Sequence, residues 1–114
     1  MINFEYKIYR KVYDNMLAGI KKVEIRLLNE KSSKLKIGDN IKFSVVDDEN
    51  TYLNVRVTNL YHFNNVDDLW ENKNFIVLDI ETSKEEFVRL FYGIFGEDEV
   101  RNHTIIGIEF EIIK

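Results

Sequence analysis

Gly19-Ile20-Lys21-Lys22-Val23-Glu24-Ile25-Arg26-Leu27 is the stretch in which the chain changes its period. Before it, Tyr9, Val12, Tyr13, Met16, Leu17 and Ile20 fall at the i, i+3, i+4, i+7 spacing of a helix with one apolar face. Gly19 stands where a left-handed C-terminal cap is expected. After it, Val23, Ile25 and Leu27 alternate with Lys22, Glu24 and Arg26, the period-two pattern of a half-buried strand. A helix therefore gives way to a strand at a glycine, with charged residues concentrated at the junction.

Beyond this junction comes a lysine-rich loop, and Ile37-Gly38-Asp39-Asn40 then reads as a turn. Ile41, Phe43 and Val45 alternate with Lys42 and Ser44 in a second strand, and Asp47-Asp48-Glu49-Asn50 turns the chain. Leu53, Val55 and Val57 alternate with Asn54, Arg56 and Thr58, a third strand expected to pair antiparallel with the second. Val66, Leu69 and Trp70 predict a short helix entered through Asn64 or Asn65, and residues 73 to 81 fit no single pattern. Ser83-Lys84-Glu85-Glu86 has the spacing of a capping box, followed by Phe87, Leu90, Phe91 and Ile94 at helical period, so a second long helix should end near Gly96. Leu90 is placed in the core on this reading, where truncation to Ala costs about 2 to 5 kcal/mol. Ile106, Ile108, Phe110 and Ile112 alternate with Gly107, Glu109 and Glu111 in a closing strand. The order helix, strands, helices, strand predicts an α+β domain in which antiparallel strands curl round a core and helices cover the openings.

At 114 residues there is room for one core, and one domain is expected over residues 1 to 114. A composition 45% hydrophobic and 32% charged is globular rather than disordered. The chain has no Cys, which excludes disulfides, thiolate metal sites and a thiol nucleophile. No apolar run approaches the roughly 18 residues of a membrane helix, so the expected location is the cytoplasm, with no membrane partner. With no Pro and five Gly there is no linker or repeat. The net charge of −4 conceals a polarity. Residues 7 to 36 carry nine basic groups against three acidic ones, a net of +6, and the remainder nets −10. Two readings fit this polarity equally well: a face suited to an anionic ligand while the rest keeps the chain soluble, or a solvated lysine-rich surface.

Gly19-Ile20-Lys21-Lys22-Val23-Glu24-Ile25-Arg26 resembles the signature of the ASCH family. Three further pieces follow in the family's order: Ile37-Gly38-Asp39-Asn40-Ile41-Lys42-Phe43, Tyr61-His62-Phe63 with Asp68-Leu69, and Ile105-Ile106-Gly107-Ile108-Glu109. The resemblance implies a PUA-like antiparallel or mixed β-barrel with helices over its openings, a cleft beside the first helix, and a role in RNA metabolism or translation. Some ASCH members look like binders; others act as nucleases or as amidohydrolases on acetylated cytidine nucleosides. The amidohydrolases use a Lys, the Thr after it and a later Glu. Lys21 matches the Lys, but Lys22 stands in the place of the Thr, and a protonated amine does not replace a hydroxyl nucleophile.

Lys21 and Arg26 can clamp a phosphate, with Glu24 holding the Arg; Lys22 belongs to the same basic cleft. The same three residues can equally be an ordinary surface ion pair worth about 0 to 1 kcal/mol. Tyr61, Phe63, Trp70 and Phe75 are candidates for a base-stacking platform, although in a small chain such rings are more often core; Tyr61 and Trp70 are retained as site candidates. Asp39 reads as a turn residue, and His62 and His103 lack metal-ligand spacing, so no metal and no cofactor is assigned. No serine-hydrolase or phosphate-loop motif occurs. The leading expectation is an RNA- or nucleotide-binding domain, in which Lys21→Ala and Arg26→Ala weaken RNA binding and leave thermal stability unchanged. The alternatives are a small hydrolase, ribonuclease or modified-nucleoside amidohydrolase, with Lys21 and Glu24 as its candidate catalytic groups, and a protein-interaction domain that works through its acidic remainder.

Overall fold

Alternation of Phe4, Tyr6 and Ile8 with Glu5 and Lys7 makes the first element a strand, β1 (Asn3–Ile8), before the expected helix. The computed structural model describes residues 3 to 72 and 83 to 113. Within them α1 (Arg10–Leu17), β2 (Val23–Leu27), a 3-10 turn (Ser32–Lys34), β3 (Asn40–Val45) and β4 (Asp48–Phe63) come next. They are followed by α2 (Val66–Glu71), α3 (Lys84–Phe95), α4 (Glu97–Asn102) and β5 (Ile105–Ile112). The five described strands form one mixed sheet in the order β1-β3-β4-β5-β2, with β1 parallel to β3 and the other pairs antiparallel. The sheet curls into a half-barrel, the α+β, PUA-like architecture that the sequence predicts.

Four details differ from the sequence reading. The chain opens on a strand, because three alternating apolar residues are enough once β3 supplies hydrogen bonds. The acidic residues 47 to 50 are not all turn: Asp48 already belongs to β4, which runs 16 residues. A short helix, α4, fills residues read as a connection, with Val100 buried beneath it. Leu90 and Ile94 are 53% and 66% exposed, so the apolar stripe of α3 is wider than the face it buries, and Leu90 is not a core residue. Residues 73 to 81, including Phe75, lie within the span outside the described residues.

Two apolar clusters hold the halves of the fold together. Inside the curl, Phe4, Tyr6, Ile41, Phe43, Val55, Val57, Ile106, Ile108 and Phe110 pack with Met16 of α1. On the other face, Val23, Phe63, Leu69, Phe91, Val100 and Ile105 pack beneath α2, α3 and α4. At full burial each large side chain contributes about 1.5 to 3 kcal/mol. The register shift between Val57 and Asn59 in β4 lets one long strand serve the curled sheet, by bending it where an extra residue is inserted. Gly107 of β5 sits where a Cβ would lie 3.3 Å from the Phe63 ring and 3.4 Å from Val23, so the second cluster closes over bare backbone.

The expected caps form. Asn65 accepts from the Asp68 N–H and Ser83 from the Glu86 N–H, opening α2 and α3. Gly19 takes φ +79° directly after α1, a left-handed backbone that favours glycine. Among the described residues no helix is long and apolar enough to cross a membrane.

Candidate functional site

Strand alternation decides which way the charged residues of β2 point. Glu24 and Arg26 lie opposite Ile108 and Ile106 of β5, both members of the cluster inside the curl, and paired residues share a face. Val23 looks the other way, towards the helices. The polar row of β2 therefore faces the concave side of the half-barrel, and Glu24 is 7% exposed. Periodicity assigned the two rows correctly, but the row that looked solvent-facing turns inward.

The end of α1 delivers the next cation. The Asn15 carbonyl accepts the N–H groups of Ile20 and Lys21, folding the chain back over the helix terminus. Lys21 Nζ then lies 3.4 Å from Glu24 Oε1. Arg26 grips the other oxygen, Nε at 3.1 Å and Nη2 at 2.9 Å from Glu24 Oε2. Nη2 also donates to the Lys7 carbonyl of β1 at 2.7 Å. A carboxylate this deep is tolerated because two cations neutralise it. This geometry argues against the expectation that Lys21 or Arg26 can be removed without affecting stability, since the loss of either leaves a buried charge half-compensated.

Tyr6 of β1 lies beneath these groups. The Arg26 guanidinium is 4.9 Å and the Lys31 ammonium 4.1 Å from its ring centroid. Lys31 also donates to the Glu5 carbonyl. Burial pushes the Tyr6 phenol up from its ordinary value; Arg26 pulls against this and Glu24 adds to it.

Over this cluster opens a cavity of about 490 Å³. Lys7, Lys21, Glu24 and Arg26 form its polar end. Phe87, Phe91 and Phe95 of α3 line it as well, with successive ring centroids 5.8 and 4.7 Å apart. Tyr9, Val46 and Ile94 stand at its edge, each at least 45% exposed.

Of the predicted site residues, Lys21, Glu24 and Arg26 converge here. Lys22 is exposed and absent from the lining, its carbonyl receiving the Phe110 N–H that begins the β2–β5 pairing. Tyr61 is turned to the helical face, where its hydroxyl meets Asn59 and Glu109 at 3.2 and 3.4 Å. Trp70 does not line the cavity; its ring lies 5.3 Å from Phe87, tilted by 38°, while its neighbour Leu69 does line it. Asp39 closes its turn by accepting from the Lys36 N–H. The aromatic wall comes instead from α3, whose i, i+4, i+8 phenylalanines were readable as a helix face but not as a cavity face. Lys7 went unnoticed as a site residue because the strand that positions it was itself missed. Among the described residues the cavity lining has no Ser or Thr, and no group of three or more His, Asp or Glu side chains gathers as a metal site.

No protein-family model matches the chain, and no curated protein does. Solved structures do. Hypothetical protein PH0355 is 27% identical, with a TM-score of 0.82, covering 98% of this chain and 100% of its own. A variant of the ASCH protein of Zymomonas mobilis is 10% identical, with a TM-score of 0.66 over 96% of this chain and 67% of its own. An ASCH domain from Lactobacillus crispatus is 13% identical, with a TM-score of 0.64 over 96% of this chain and 79% of its own. These likenesses show an ASCH-like fold, as the signature residues around Gly19 and Arg26 imply.

Proposed function

We propose that this ASCH-like domain binds RNA or a nucleotide in the cavity between the half-barrel edges and α3. The observation that carries the reading is Glu24, a buried carboxylate held by Lys21 and Arg26 in the lining of a cavity that a row of phenylalanines also lines. Three cations and one carboxylate on the lining favour an anion, and a row of phenylalanine rings favours a planar apolar body; a nucleotide combines the two. The volume lies within the roughly 300 to 1,000 Å³ of small-ligand sites. A carboxylate has about four acceptor positions, so with three contacts made Glu24 retains about one for a base amino group. The hydrolase reading keeps Lys21 and Glu24 in contact, but Lys22 is exposed, does not line the cavity and supplies no hydroxyl.

The test is binding of fluorescent single-stranded RNA and matched DNA at about 50 and 200 mM salt, with the oligonucleotides checked for cleavage. RNA should bind intact, more weakly at high salt, and Lys21→Ala should lower the affinity and flatten the salt dependence. Absence of RNA binding, or equal affinity for wild type and Lys21→Ala, defeats the reading; cleavage that needs Lys21 replaces it with the hydrolase.

A further inference from the structure

The strand order ends on β1 at one side and β2 at the other, and these two edges meet across a seam that is bridged by side chains. Arg26 of β2 reaches the Lys7 carbonyl, and Lys31, four residues beyond β2, reaches the Glu5 carbonyl. Residues two apart on a strand point the same way, so both bridges land on the open edge of β1. The cavity lies directly on this seam, taking Lys7 and Ile8 from one edge and Glu24 and Arg26 from the other.

We infer that Arg26 is a positioning residue, which closes the seam and fixes the Glu24 carboxylate, while Lys21 and Lys7 meet the ligand's phosphate. The inference rests on the RNA- or nucleotide-binding reading for its ligand, but not for the seam. Arg26 has Nε and Nη2 engaged, two bonds to Glu24 and one to a backbone carbonyl, and one face of its guanidinium rests on Tyr6. Turning it towards a phosphate would break the bridge that joins Glu24 to β1 and, among the described residues, leave that carboxylate to Lys21 alone. Lys21 makes one longer ion pair on a flexible stem, and Lys7 is 47% exposed with its own pair at 3.6 Å. Lys7, in an exposed pair, can swing to an anion at little cost, and Lys21, whose ammonium has three donors, can meet an anion while keeping its contact to Glu24. Lys31 repeats the motif of Arg26 on the same ring, a second strap on the same seam.

Arg26→Lys separates position from charge, because an ammonium keeps the charge but cannot hold a planar fork on the Glu24 carboxylate and the Lys7 carbonyl together. The decisive readout needs no RNA: hydrogen exchange of β1 amides should speed up by about tenfold or more in Arg26→Lys, and by less in Lys31→Ala. With RNA, Arg26→Lys should weaken binding by about tenfold while the slope of log affinity against log salt stays at the wild-type value. Lys21→Ala should lower that slope by about 0.7, one phosphate contact on a single strand. Unchanged β1 exchange in both seam variants overturns the inference whether or not RNA binds, as does a slope that falls in Arg26→Ala but not in Arg26→Lys. Fast β1 exchange with no RNA binding to wild type defeats the ligand reading and leaves the seam role standing. Where Arg26→Lys fails to fold, Lys31→Ala carries the exchange test alone, and unaltered exchange there overturns the proposal.

Discussion

The two faces of the sheet are built from similar residues to different standards of closure. Inside the curl, Phe43, Val55 and Ile108 are completely buried and Phe43 meets Phe110 edge-on at 5.5 Å. Beneath the helices, Leu69 and Ile105 are as deep, but Phe87, Phe91 and Phe95 border an open cavity, and Leu90 and Ile94 reach solvent. A sheet that curls on itself covers its own apolar rows, whereas a helix resting on that sheet covers one stripe and leaves its flanks. The molecule thus has a closed core that carries stability and a half-closed layer with room for a ligand.

Phe43→Ala strikes the closed side and should be the most damaging single truncation, at about 3 to 5 kcal/mol by chemical denaturation. Phe91→Ala removes the same ring from the half-closed side. It should cost less, by about 1 kcal/mol or more, because Phe91 already borders a void and loses fewer contacts. Equal costs would break the contrast and mean that the two layers are equally well packed.

That contrast explains what the sequence disclosed. Alternation at Ile41 to Val57 and Ile106 to Ile112, the caps at Gly19, Asn65 and Ser83, and the signature from Gly19 to Arg26 each depend on neighbours within a few residues, and each formed. Glu24, Arg26 and Lys21 were legible as a group for the same reason. What failed depended on other elements. Whether Glu24 faces water or the barrel interior is decided by where β5 lies, and periodicity is blind to that choice. Tyr61 and Trp70 were selected for their rings, yet strand register turned Tyr61 to the helical face, and Trp70 contacts Phe87 without lining the cavity. Lys7 needed β1, whose six residues gain a partner only when β3 is brought alongside from more than thirty residues away.

Ser44 sharpens the comparison from the closed side, because it is a fully buried hydroxyl at the rim of the tight core. It donates to Glu5 Oε2 at 3.0 Å, and this bond is the largest influence holding the exposed Glu5 carboxyl below its ordinary 4.5; desolvation, the next largest, opposes it, and Lys7 and Lys42 assist. A carboxyl lowered in the folded state adds stability above the unfolded value and loses it as pH falls through the folded one. Ser44→Ala should therefore raise the Glu5 midpoint in a carbon-detected NMR titration. The wild-type advantage from this contact should be present at neutral pH and shrink as pH falls below 4.5. An unmoved Glu5 midpoint would show that the hydroxyl is structural only.

The smallest effect is expected at Leu90, and there a near-null result is the informative one. Leu90 and Phe91 are neighbours on α3 with similar hydrophobicity, but one is 53% and the other 5% exposed. Leu90→Ala should shift stability by no more than about 0.5 kcal/mol, since alanine is a better helix former and little packing is lost. A cost of about 2 kcal/mol or more would mean that α3 is seated on the sheet by its Leu90–Ile94 row. The phenylalanine wall would then face elsewhere, and the cavity that separates the half-closed layer from the closed core would lose its aromatic side.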